Sequence, residues 1–161
     1  MILVCFDGSP DAEAAIDRAG ELFPGRPATV LTVWETFTEI LARSSGPGLG
    51  YGTVLAEAHE IDAAAEKAAS ELAEQGAERA RSAGLDAKPR TVMRGVSIAD
   101  TILTVADEVD ASAIVVGTRG RGGIKSLVLG SVSNAVVHQA DRPVVIVPSP
   151  ALVAERAARR G

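Results

Sequence analysis

Five short runs rich in β-branched and apolar residues recur along the chain: Ile2 to Phe6, Thr29 to Trp34, Arg90 to Met93, Ala113 to Gly117 and Val144 to Val147. Segments with helical spacing separate them, and this alternation is the signature of βαβ units around a parallel sheet. The run Ala113-Ile114-Val115-Val116 is apolar throughout and ends in glycine, as a central strand covered on both faces should be. With 161 residues, 47% of them apolar, the chain can bury one core without disulfide or metal staples. The reading is a single domain over residues 1–150. Residues 151–161 are alanine- and arginine-rich with a thin apolar stripe, and they read as a mobile tail.

The helices carry their own punctuation. Ser9-Pro10 supplies a cap and a first-turn proline for a helix that places Ala12, Ala15, Ile16, Ala19, Leu22 and Phe23 on one face before Pro24-Gly25 stops it. Ser44 to Gly52 reads as a flexible loop. A long helix follows, with Val54, Ala58, Ile61, Ala65, Ala68 and Leu72 as its buried stripe and a fraying point between Gly76 and Gly84. Ser97 and Asp100 have capping-box spacing at the start of the next helix, which turns Ile98, Ile102, Leu103 and Ala106 inward. The last helix opens at Ser131.

Charge and cysteine content remove several functions. A net charge of −5 opposes a broad footprint for nucleic acid or for an anionic membrane surface, so any anionic ligand must be held locally. The one cysteine, Cys5, rules out an internal disulfide and a thiolate metal cluster, and it reads as core, as does Met93. A first strand starting at residue 2 and the lack of a membrane-length apolar stretch lead to an expected cytoplasmic location.

The densest functional signal follows the fourth strand: Gly117-Thr118-Arg119-Gly120, nine residues, then Gly130-Ser131. Its glycines let backbone N–H groups approach a ligand, and Gly130-Ser131 stands where the unpaired N–H groups of a helix start would point. This is an anion cradle that suits a phosphate chain. In a doubly wound sheet, ligands bind beyond the carboxyl ends of the strands where strand order reverses. If the chain starts in mid-sheet, that point lies between the first and fourth strands. Asp7-Gly8-Ser9 and Gly117 to Gly120 are then brought to one crevice.

These residues also have structural readings. Asp7 serves a turn with Gly8 as readily as a ligand, Ser9 and Ser131 serve as helix caps, and Arg94, Arg119, Arg121 and Lys125 read more readily as solvated loop cations than as phosphate partners. His59 and His138 stand on different helices and read as structural or exposed, so no metal site is visible. A GxxxxGK[ST] loop, a GxGxxG turn after the first strand and a GxSxG elbow are all missing, which excludes Walker-type, Rossmann dinucleotide and α/β-hydrolase chemistry.

On Val4 to Ser9, Val30 to Glu35, Met93-Arg94-Gly95, Gly117 to Ser131 and Arg142 to Pro148, the chain resembles the universal stress protein family. The resemblance implies a Rossmann-like three-layer α/β sandwich of the adenine nucleotide alpha hydrolase kind, with a five-stranded parallel sheet in the order 3-2-1-4-5. It also implies a homodimer through the Val144 to Val147 edge and, given the long glycine motif, an adenine nucleotide as ligand. Carried over, it sets Asp7, with Gly8 and Ser9, at the ribose or base edge and Val33 against the adenine. Gly117, Arg119, Gly120, Gly130, Ser131, Val132 and Ser133 surround phosphates and ribose.

The resulting expectation is an ATP-binding stress-response sensor or regulator with hydrolysis absent or slow, since the motif supplies mainly backbone donors and phosphoryl transfer needs a held metal. The alternatives are AMP or cyclic AMP as ligand, a slow ATPase in which Ser131 or Ser133 helps hold magnesium, and an interaction module with an empty crevice.

Overall fold

The computed structural model describes residues 1–44, 54–120 and 129–160. Strands β1 (Ile2–Cys5), β2 (Pro27–Trp34), β3 (Asp86–Met93), β4 (Ala113–Gly117) and β5 (Val144–Val147) form one parallel sheet in the order β3-β2-β1-β4-β5. The order agrees with the expectation. Helices α1 (Pro10–Leu22), α2 (Phe37–Ser44), α3 (Val54–Ser82), α4 (Ile98–Glu108), α5 (Ser131–Gln139) and α6 (Pro150–Ala158) complete the chain. Strand alternation divides the core. Ile2, Val4 and Phe6 with Val30 and Val115 pack on α1 and α3, while Leu3, Leu31 and Ile114 pack on α4 and α5. The order reverses between β1 and β4, which fixes where the crevice opens.

Several local expectations change. β3 begins at Asp86, four residues early, because an edge strand tolerates Pro89, whose missing N–H faces away from β2. Helix α2 was not foreseen, although Thr36 and Glu39 form a capping box: Thr36 Oγ1 accepts from Glu39 N at 3.2 Å and Glu39 Oε2 from Thr36 N at 3.2 Å. Of the α1 face, Leu22 is exposed. Most of the expected 44 to 52 loop lies outside the described residues. Residues 150–158 are helical, although 151–161 read as a mobile tail. Ser149 Oγ caps α6 by accepting from Leu152 N at 3.4 Å, and Leu152 is buried.

The stripe of α3 is shifted. Ala69, Ala73, Ala77 and Ala80 are buried with Ala58, whereas Ile61 and Ala68 face outward. Asp62, not Ile61, turns toward α2 and accepts from Phe37 N at 2.6 Å. The helix runs through Gly76 without a break because the sheet needs it there. A Cβ on Gly76 would stand 2.6 Å from Phe6 Cδ1 and 2.9 Å from Val30 Cγ1. Met93, read as core, is exposed at the end of the β3 edge, and Cys5 is only partly buried.

Candidate functional site

At the carboxyl end of β1 the chain makes a turn whose polar groups are used internally. Ser9 N donates to Asp7 Oδ1 at 3.0 Å, while Gly8 takes a φ of +77°. Ser9 is buried. Its Oγ accepts from Ala12 N at 3.2 Å as the α1 cap and lies 3.4 Å from Arg119 O, to which it donates. The helix-cap reading of Ser9 is therefore the one its contacts express. Asp11, in the first turn of α1, reaches across the switch point: its Oδ2 accepts from Arg119 N at 3.0 Å. The sequence reading missed Asp11, whose acidic first-turn position signals only favourable placement at a helix start.

The second turn, at the end of β4, contains glycines with different duties. A Cβ on Gly117 would stand 2.7 Å from Asp11 C and 2.9 Å from Ala12 N, so Gly117 lets the β4 end seat against the backbone of α1. A Cβ on Gly120 would stand 2.7 Å from Asp7 Oδ2. Gly120 therefore faces Asp7, and the two turns do meet. Gly130 N donates to Thr118 O at 2.9 Å, which ties the start of α5 to the same place.

Gly130 is the N-cap of α5, with φ −59° and ψ 156°, and Ser131 is the helix's first residue. No side chain caps this helix. By contrast, α1, α4 and α6 each begin with a serine whose Oγ accepts a first-turn N–H. Nothing in the backbone demands glycine at 130, for any residue adopts that φ. Ser133 is buried and its hydroxyl donates to Gly117 O at 2.7 Å, so it braces β4 against α5. The exposed Ser131 makes no such contact among the described residues, and Arg121 and Lys125 lie outside them.

Val33 and Val132 are partly buried at the margin of one apolar cluster, together with Ile98 and Val92. Arg94 Nη1 pairs with Glu35 Oε1 at 2.7 Å, so it is not a solvated loop cation. Among the described residues, two buried atoms near these turns, Thr118 Oγ1 and Arg94 Nε, have no hydrogen-bond partner. Below the crevice, burial and then the charge of Asp7 push the Cys5 thiol up to about 12, which makes it inert as a nucleophile at neutral pH. His59 and His138 are exposed.

A larger groove of about 470 Å³ runs between α1 and α6 beside Asp17, Arg18, Val147 and Val153, and holds none of the motif residues. A smaller crevice of about 210 Å³ lies between the first turns of α4 and α5 and includes Ser131 and Val132. No helix among the described residues is long and apolar enough to cross a membrane.

Comparison with known proteins agrees with this fold. The family model described as the universal stress protein family matches residues 1–148. Universal stress protein YxiE of Bacillus subtilis is 32% identical over 149 residues, which make up 91% of this chain and 97% of that protein. Mycobacterial universal stress proteins at 34% identity are longer, and the chain spans 44% of their length. The universal stress protein from Archaeoglobus fulgidus, solved in complex with dAMP, aligns with a TM-score of 0.59 at 28% identity, covering 91% of this chain and 95% of that one. A universal stress protein solved in complex with cAMP aligns with a TM-score of 0.61 at 25% identity, covering 92% of this chain and 96% of that one.

Proposed function

The chain belongs to the universal stress protein family, and we propose that it binds an adenine nucleotide in the crevice between the Asp7 turn and the start of α5. The observation that carries this reading is the uncapped α5. Three other helices use a serine hydroxyl where α5 has Gly130, and its first-turn N–H groups stay available beside Gly120 and Asp7. A helix start with free N–H groups and a positive dipole end is a phosphate site. Asp7 stands at the sugar end, where a carboxylate accepts from ribose hydroxyls and is spared the charge of the phosphates.

ATP is the nucleotide this reading favours, since the length of the motif from Gly117 to Ser131 in sequence suits more than one phosphate. The role is that of a cytoplasmic sensor or regulator with slow or no hydrolysis, because the crevice presents backbone donors more than metal ligands. A monophosphate is the second reading, supported by the dAMP held by the Archaeoglobus fulgidus relative. Calorimetry with ATP, AMP and cyclic AMP on nucleotide-free protein separates the two. Tighter binding of ATP supports the first, tighter binding of AMP the second, and no heat with any of the three overturns both.

A homodimer through β5 belongs to the same reading. The β3 edge carries Lys88, Pro89 and Arg90, which discourage pairing, whereas β5 reads Val-Val-Ile-Val with its outer edge unpaired among the described residues. Val145→Lys should turn a dimer into a monomer by light scattering, with the nucleotide affinity kept within about threefold.

A further inference from the structure

Between the end of β4 and Gly120 the backbone is held from three elements. Gly117 O accepts from Ser133 Oγ at 2.7 Å, Thr118 N donates to Val147 O at 2.8 Å, and Thr118 O accepts from Gly130 N at 2.9 Å. Helix α1 takes the next peptide group. Arg119 N donates to Asp11 Oδ2 at 3.0 Å, and Arg119 O accepts from Ser9 Oγ at 3.4 Å, the longer and weaker of the two contacts. The backbone N–H groups of Thr118 and Arg119 are thus both used within the protein, and neither is left for a ligand. The other partners in this set are hydroxyls and main-chain groups, whereas Asp11 brings a carboxylate, 8% exposed, from 108 residues away in sequence.

We propose that Asp11 is a positioning residue of the nucleotide site, clamping the Arg119 peptide so that the chain leaves β4 with Gly120 turned toward Asp7. This rests on the nucleotide-binding reading above and adds to it a residue from outside the glycine motif. A carboxylate makes a stronger, charge-assisted bond to an N–H than a neutral acceptor does. Asp11 stands in the first turn of α1, where the positive end of the helix offsets the burial of its charge. Gly117 makes the reach possible, since a Cβ there would stand 2.9 Å from Asp11 Cβ. The glycine seats α1 against the end of β4, and the carboxylate fixes the peptide just beyond it. Asp11 acts on the ligand through that peptide: phosphates meet a turn shaped before they arrive, so binding does not bear the cost of ordering it.

The test measures ATP and AMP by calorimetry on the full chain and on Asp11→Asn and Asp11→Ala, at a temperature where unfolding curves show the protein folded. Asparagine keeps an acceptor oxygen for Arg119 N and loses the charge, while alanine loses both. For the nucleotide that the parent binds more tightly, Asp11→Ala should bind about tenfold more weakly, the size expected of one such hydrogen bond, and Asp11→Asn within about threefold of the parent. A merely structural residue would leave the affinity of the folded variants unmoved. Amide hydrogen exchange without nucleotide should show the Arg119 N–H protected in the parent and in Asp11→Asn, and unprotected in Asp11→Ala. Affinity kept or improved in Asp11→Ala, as when a released Arg119 N–H serves a phosphate, would overturn the assignment. So would asparagine as weak as alanine, an Arg119 amide equally protected in both variants, or an Asp11→Ala chain that does not fold; each of these leaves the nucleotide site in place. If the parent binds neither nucleotide, the nucleotide reading itself falls and this assignment with it.

Discussion

The turn after β1 and the connection after β4 face each other across the switch point, and they treat their polar groups in opposite ways. In the first, Asp7, Ser9 and Asp11 spend their oxygens on backbone N–H groups, of Ser9, of Ala12 and of Arg119 on the facing turn. In the second, among the described residues, the helix start is left without a side-chain cap and Thr118 Oγ1 is buried without a partner. The first turn satisfies these oxygens within the protein, while the uncapped start of α5 is, on the proposed reading, where the phosphates are received.

Substitutions can break this contrast. The largest effect should come from Gly117→Val. The new side chain would enter the backbone of α1 at Asp11 and Ala12, and a loss of about 3 kcal/mol is expected from overpacking. Urea unfolding should show the loss with or without nucleotide, because this glycine serves the scaffold. Gly120→Asp should do the reverse. A second carboxylate would stand against Asp7 and the phosphates, lowering nucleotide affinity about a hundredfold with unfolding within about 1 kcal/mol of the parent. Stability lost and binding kept would reverse the roles given to these two glycines.

Two smaller changes sharpen the contrast. Gly130→Ser offers α5 the cap its neighbours have. Glycine and serine differ by only a few tenths of a kcal/mol as caps, so stability should barely change, while titration should show nucleotide binding weakened about tenfold as the hydroxyl competes for the N–H groups. Ser9→Ala should cost about 1 kcal/mol in thermal or urea unfolding, as loss of a helix cap does, and leave affinity within about threefold. Weaker binding without lost stability in Ser9→Ala would make that turn a ligand contact after all.

The cap signals were legible because they are local. Ser9-Pro10 and the Ser97 to Asp100 spacing act within four residues, and both hydroxyls bond where the spacing says. Thr36 to Glu39 carried an equally local signal for α2 and was overlooked beside the glycine-rich stretch that follows. The stripe of α3 was misplaced for a different reason. A spacing read from Val54 onward drifts around a long helix by about 20° per heptad, and only the packed sheet fixes which row faces inward. Arg94 looked like a solvated cation because its partner, Glu35, sits on another strand. Asp11 and Thr118 were missed likewise, since their significance lies in contacts absent from their own neighbourhood.

By itself the sequence determined the alternation of strands and helices, the covered central strand and the two glycine-marked turns, because periodicity and turn chemistry act over short spans of chain. Only the tertiary structure decided that Gly117 and Gly76 are sites of close approach, that Ser133 braces β4 against α5, and that α5 alone among the helices with described starts lacks a side-chain cap. Those outcomes depend on which distant segments touch, at separations such as the 108 residues between Asp11 and Arg119. No local pattern encodes a contact of that reach; it exists once the sheet has brought β1 and β4 side by side.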